Sequence, residues 1–170
     1  MDITEVILEQ HHEQRRAFAL LDEIPRDDAE ALGAAWSRLQ VLLEVHADAE
    51  ERYFYPVLLR VGQGPDGDEG PDDEVEDAVK DHNEIRDAIR ASDGHEPGSD
   101  AWWDAVQEAR RANDEHMAEE ERDDLSDFRR HADLQTRHDI AIRFLTYENQ
   151  HAQGVAPVDK DPEQYVEENS

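Results

Sequence analysis

Four stretches of this chain place an apolar residue at every third or fourth position, and in each stretch one such position holds a histidine. The stripes run Ile7, His11, Gln14, Phe18, Leu21 in the first and Trp36, Leu39, Leu43, His46, Glu50, Tyr53, Val57 in the second. The third is Val75, Val79, His82, Ile85, Ile89, and the fourth is Trp102, Val106, Ala109, Asn113, His116, Glu120. That spacing puts each set on one face of an α-helix. Four such faces bury one another in an antiparallel up-down four-helix bundle, and the four imidazoles then meet inside it. No segment alternates apolar and polar residues over the length of a strand, so the expected fold class is all-α.

Proline and glycine set the boundaries. "IPRDD" (24–28) interrupts the first helical pattern and offers Asp27 or Asp28 as the cap of the next. "VGQGPDGDEGPDDE" (61–74) reads as a long acidic loop, "ASDGHEPGSD" (91–100) as another, and "QGVAPVDKDPEQ" (153–164) as a lead into a polar tail. Five helical segments remain, at approximately 3–23, 28–60, 74–91, 100–129 and 133–151. The expected organisation is a four-helix bundle over residues 1–130, an additional C-terminal helix packed on it over 131–153, and a polar tail over 154–170.

Acidic residues outnumber basic ones 45 to 17, for a formal net charge of −28, and they are spread along the whole chain. Such a surface repels nucleic acid and anionic lipid, so neither is an expected partner. The absence of cysteine excludes disulfides, thiolate metal sites and cysteine nucleophiles. The acidic, amphipathic start "MDITEVILEQHHE" does not read as a secretory signal, and no run approaches a membrane span, which together predict a cytoplasmic protein. A monomer or homodimer is expected.

The chain also repeats itself. "HHEQRRAF" (11–18) and "HNEIRDAI" (82–89) share H-x-E-x-R, while "HADAEERYFYP" (46–56) and "HMAEEERDDLS" (116–126) share H-x-x-x-E-E-R. Each half is therefore a helical hairpin carrying H…H-x-x-x-E, and the halves are expected to pack with approximate twofold symmetry. Residues four apart on a helix lie one turn above each other, so His46 with Glu50, and His116 with Glu120, present an imidazole beside a carboxylate. Left unpaired in an apolar interior, these groups would destabilise the fold by several kcal/mol in total, on the order of 1–3 each. A bound cation offsets that. Imidazole and carboxylate without sulfur suit iron, manganese or zinc. If Glu50 and Glu120 both bridge two metals, the protein supplies eight of the roughly twelve bonds that two six-coordinate ions take. A bridging oxo or hydroxo group adds two and leaves room for a small ligand.

This arrangement resembles the hemerythrin-like, HHE cation-binding domain family over roughly residues 3–129, and the trailing helix resembles the layout of the longer actinobacterial members. The resemblance implies a four-helix bundle holding two non-haem iron ions, with His11, His46, Glu50, His82, His116 and Glu120 as metal ligands and no catalytic residue beyond them. The sequence departs from the oxygen carriers of the family at the third helix, where H-x3-H would need a second histidine and Ala78 and Arg86 stand instead. Tyr53, Glu51, Glu121 and Asp123 are further candidate ligands. For Tyr53 and Asp123 packing or solvent exposure is the plainer role, and Glu51 and Glu121 are expected to pair with Arg52 and Arg122 at the surface. His11 rather than His12 faces inward, by alignment with the third helix. Glu9-x-x-His12 and Glu148-x-x-His151 mimic a carboxylate-protein signature but fall outside the stripes.

Three functions are consistent with this reading. The first is redox or peroxide or nitric oxide defence, in which the metal pair reacts with or binds peroxide, nitric oxide or dioxygen; as an enzyme it would be a di-iron catalase- or peroxidase-like oxidoreductase. The second is a dioxygen or iron sensor or storage module without turnover. The third, a bundle whose histidines bind zinc or nothing, requires four core histidines to coincide by accident. The expected partner is a small diatomic or peroxide ligand.

Overall fold

A computed structural model describes residues 1–64 and 70–170. Asp2 accepts a hydrogen bond from the Thr4 backbone N–H and starts helix α1, Ile3–Glu23. Asp28 accepts from the Ala31 N–H and starts α2, Ala29–Ala49. Each cap pairs one of the N–H groups that a helix start leaves open. Beyond Ala49 the backbone enters a wider turn over Glu50–Phe54, in which the Tyr55 N–H bonds to the Glu50 carbonyl five residues back, and then resumes as α3, Tyr55–Val61. Pro56 accounts for the widening, because it has no N–H to give the Arg52 carbonyl that an ordinary α-helix would pair with it. The single segment expected over 28–60 is thus interrupted where the stripe meets Glu50.

Helix α4, Pro71–Ser92, begins at a proline whose missing N–H is not needed there. Ser99 caps α5, Asp100–Arg122, and after a one-residue break at Asp123 the chain continues as α6, Asp124–His131. Asp133 caps α7, Leu134–Gln150. The region expected to be only a polar tail folds further: Asp161 caps α8, Pro162–Asn169, whose Tyr165 is buried against α4. The loop expected over 61–74 lies partly outside the described residues. Among the described residues all regular structure is helical, and no helix is long and apolar enough to cross a membrane.

The elements α1, α2–α3, α4 and α5–α6 form the bundle, and its interior is layered. At one end Ile3, Ile7, Phe54, Leu58, Val79 and Phe128 join an apolar cluster that extends under α7 and α8. At the other, Phe18, Leu39, Leu43, Ile85, Trp102 and Val106 form a second. Every bundle helix leaves the first cluster and enters the second by way of buried polar residues: His11 and Gln14, His46 and Glu50, His82, and Asn113, His116 and Glu120. Two dry plugs therefore enclose a polar slab across the middle of the bundle. Helix α7 covers the α1–α2 side, where Phe144 lies edge-on to His46 with ring centroids 6.0 Å apart.

Candidate metal centre

The four histidine side chains reach the slab from four helices, as the stripes require, and each has almost no solvent exposure. His46 Nε2 is 2.9 Å from Glu50 Oε1 and His82 Nε2 is 3.3 Å from Glu50 Oε2. His11 Nε2 is 3.2 Å from Glu120 Oε2, and the Nε2 atoms of His82 and His116 are 3.2 Å apart. Two sets of three potential ligands result, His11, His46, Glu50 and Glu50, His82, His116, with donor atoms in each set within 4.8 Å of one another. Glu50 belongs to both.

The outward nitrogen of three of the rings is held by a second group. His11 Nδ1 donates to Glu121 at 2.9 Å, His46 Nδ1 to the Gln10 side-chain oxygen at 2.6 Å and His82 Nδ1 to Glu51 at 2.8 Å, while His116 Nδ1 lies 3.6 Å from Asp81. Carboxylate and amide oxygens can only accept, so these bonds place the proton on Nδ1 and turn Nε2 to the centre, the arrangement found around metal-binding histidines. The sequence repeat explains the pattern. The residue before the first histidine of each hairpin, Gln10 or Asp81, meets the second histidine. The residue after each inward glutamate, Glu51 or Glu121, meets the first histidine of the other hairpin and the arginine four places on: Glu121 with Arg15 and Glu51 with Arg86, both at 2.8 Å.

Whether a cation fits can be judged from the atoms left over. His11 Nε2, His46 Nε2, both Glu50 oxygens and Glu120 Oε2 are buried without a hydrogen-bond partner. Five orphaned donor atoms at one place are costly to bury, and a divalent cation in each set would answer all of them but Glu120 Oε2, which belongs to neither set. Residues 2–128 match the family described as Hemerythrin HHE cation binding domain. The chain belongs to that family. No curated protein and no solved structure matches it.

Within this HHE domain some side chains stand elsewhere than the stripes suggest. Tyr53 is turned away from the centre and packs on Tyr147, ring centroids 5.7 Å apart. Tyr55 takes the inward place and donates to Glu120 Oε1 at 3.2 Å. The wide turn is the reason, since it brings the fifth residue after Glu50 beneath it. The same turn buries Glu51 next to Glu50, and Glu51 pairs with His82, Arg86 and Lys160 rather than with Arg52. Glu121 pairs with His11 and Arg15, not Arg122, and Asp123 binds Arg122 at the rim. Arg52 turns back to Asp48. Arg86 stands where H-x3-H would have put a second imidazole. His12 is exposed.

Residues beyond the family match also reach the centre, and of these neither stripes nor motifs flag Lys160 or Tyr165. Gln10 Nε2 donates to Glu148 of α7 at 2.7 Å. Lys160 pairs with Glu51 Oε2, and the Tyr165 hydroxyl donates to the Glu51 backbone carbonyl. That carbonyl would accept from Tyr55 in an ordinary helix and is released because Tyr55 bonds to Glu50. The signal in the sequence was Pro56 inside a helical pattern.

Burial on its own would lower the His11 pKa, but the carboxylates of Glu120 and Glu121 outweigh it and push it up to about 9. His82 reaches about 9 against the same burial through Glu50 and Glu51. Burial would raise Glu50, yet His46 and His82 hold it well below the usual carboxylate range. Glu51, likewise against burial, is held to about 2 by His82, Arg86 and Lys160. Burial keeps the Tyr55 hydroxyl protonated far above its ordinary range, so it serves as a neutral donor. The two raised histidines contribute stability to the metal-free chain that is fully present below pH 6.5 and lost as pH rises toward 9. Glu51 contributes the opposite way, its share being lost as pH falls from 4.5 toward 2. A metal must displace the histidine protons. Loading at pH 7 is expected to release about two protons per chain, with apparent affinity rising by up to about tenfold per proton per pH unit below pH 9. Titration of the metal-free chain in weakly buffered indicator dye measures this, and loading without proton release would contradict it.

Proposed function

We propose that this HHE domain is a non-haem di-iron protein whose metal pair binds or reacts with peroxide, nitric oxide or dioxygen in redox defence. The observation that carries the reading is Glu50, whose two oxygens face one imidazole of each set and so suit a bridge between two ions. His11 and His46 would hold one ion, His82 and His116 the other, and Glu120 would join beside His11. Bound iron would supply one-electron redox chemistry and an open coordination place for a small ligand. The protein's own contribution is to orient and to exclude. The outer acceptors fix the Nε2 atoms of His11, His46 and His82 inward, the two apolar clusters close the slab at either end of the bundle, and Tyr55 keeps a proton at the Glu120 carboxylate.

Access favours uncharged ligands. A cleft of about 570 Å³ between α4 and the α5–α6 corner is lined largely by carboxylates and by His116 and Glu120. Peroxide, nitric oxide and dioxygen pass such a lining, whereas anions are repelled. A sensor or storage module is the second reading, and the contacts of Lys160 and Tyr165 with Glu51 favour it, because a change at His82 would be felt in α8.

The test is metal analysis with an ultraviolet–visible spectrum after loading with ferrous iron, followed by peroxide consumption. Two irons per chain and steady consumption, lost in His46→Ala, are expected for the enzyme. Reversible dioxygen binding without turnover would select the sensor. One zinc and no iron would overturn both.

A further inference from the structure

The two hairpins repeat each other around the centre, but their outer grooves differ. On the α1–α2 side the groove is roofed by α7: Phe144 covers His46, and Gln10, the neutral partner of His46, is tied down by Glu148. Among the described residues no such roof covers the equivalent groove between α4 and α5, which is the cleft of about 570 Å³. In it an acid, Asp81, replaces Gln10 beside the histidine. Asp73 and Asp77 on α4 and Glu119 on α5 stand exposed along its rim. Arg122 is the one basic residue in the lining, and Asp123 neutralises it at 2.9 Å. At the inner end are His116 and Glu120, both ligating candidates, the latter with its orphaned Oε2.

A row of acids on so acidic a chain would say little. Asp124 is different. It is only 5% exposed, it lines the cleft next to Glu120, and its carboxyl makes no hydrogen bond and no ion pair among the described residues. Its counterpart in the other hairpin is Phe54, buried in the apolar cluster. A carboxyl thus stands where the repeat has a phenylalanine, between the rim acids and the centre.

We propose that the α4–α5 cleft is the port through which a hydrated divalent cation of the ferrous class reaches the centre, gathered by Asp73, Asp77 and Glu119 and handed by Asp124 to Glu120 and His116. The proposal rests on reading the centre as a metal site. Oxygen donors suit a cation still carrying water, and imidazole further in takes it once water is shed, so the donor types follow the order of dehydration. Converging negative charge raises the local cation concentration and the rate of capture, by about 10- to 1000-fold at low ionic strength.

The experiment is stopped-flow mixing of the metal-free full chain with cobalt(II), whose visible bands report arrival at the imidazoles. The triple variant Asp73→Asn, Asp77→Asn, Glu119→Gln is expected to slow uptake at low salt about tenfold or more and to flatten its salt dependence, with the final spectrum and stoichiometry unchanged. Asp124→Asn alone is expected to slow it as well. A control triple on α1, Glu5→Gln, Glu9→Gln, Glu13→Gln, removes the same charge from an exposed face and is expected to load close to the wild-type rate. Equal slowing in both triples, or none in the cleft variants, overturns the port while leaving the metal centre standing. A wild-type chain that takes up no cobalt overturns the centre itself and the port with it.

Discussion

Alanine at Glu50 is expected to abolish loading at both halves of the centre, whereas alanine at His116 abolishes only one. Glu50 is the shared member of the two ligand sets, 2.9 Å from His46 Nε2 and 3.3 Å from His82 Nε2. His116 belongs to the second set alone. In the di-iron reading, iron retained after loading and desalting should fall from about two per chain to near zero in Glu50→Ala and to about one in His116→Ala. The thermal response should follow. Metal at about a thousandfold above its dissociation constant stabilises a folded protein by roughly 4 kcal/mol. For a chain of this size that corresponds to a rise in Tm of roughly 10 °C. The rise should be present in wild type, reduced in His116→Ala and absent in Glu50→Ala. If the two variants retain equal iron, Glu50 does not bridge.

The helical bundle and the inward histidines were legible because helical periodicity is a one-dimensional signal: a histidine in place of a leucine in a stripe must enter the interior wherever the helices lie. The family assignment followed from the same residues. What was not legible is where that period slips. Extending the α2 stripe past Glu50 at three and four put Tyr53 inward, but Pro56 forces a five-residue turn and Tyr55 takes the place. The slip also turns Glu51 from a surface partner of Arg52 into a buried acceptor for His82. Nor does a stripe report contacts made at a distance along the chain, such as Lys160 on Glu51 or Glu148 on Gln10.

The slip also breaks the symmetry that the repeat promises. Tyr55 corresponds to Leu125 in the other hairpin, which has no hydroxyl, so Glu120 gains a donor that Glu50 lacks. Glu120 is thereby held toward His11, and Glu50 is left free to face both sets. Two hairpins built on the same histidine and glutamate motifs thus yield two unlike carboxylates.

The double variant Lys160→Met, Tyr165→Phe is expected to weaken metal binding at the His82–His116 set by about 10- to 100-fold, the usual effect of losing an outer partner of a metal-bound histidine. The chain of dependence is short. His82 points its Nε2 inward because Glu51 accepts from its Nδ1. Glu51 keeps its place because Arg86 and Lys160 neutralise it and Tyr165 pairs its backbone carbonyl. Methionine and phenylalanine retain the bulk of the segment that leads into α8 and of α8 itself, so the bundle should stay folded, with a melting transition close to that of wild type in the metal-free state. The His11–His46 set has separate supports in Glu121, Gln10 and Glu148 and should be unaffected. A two-step metal titration separates the outcomes: only the step assigned to the second set should shift. If both steps shift together, α8 acts on the stability of the whole bundle and not through Glu51. If neither does, Arg86 suffices to hold Glu51, and Arg86→Met is then the substitution that should release His82.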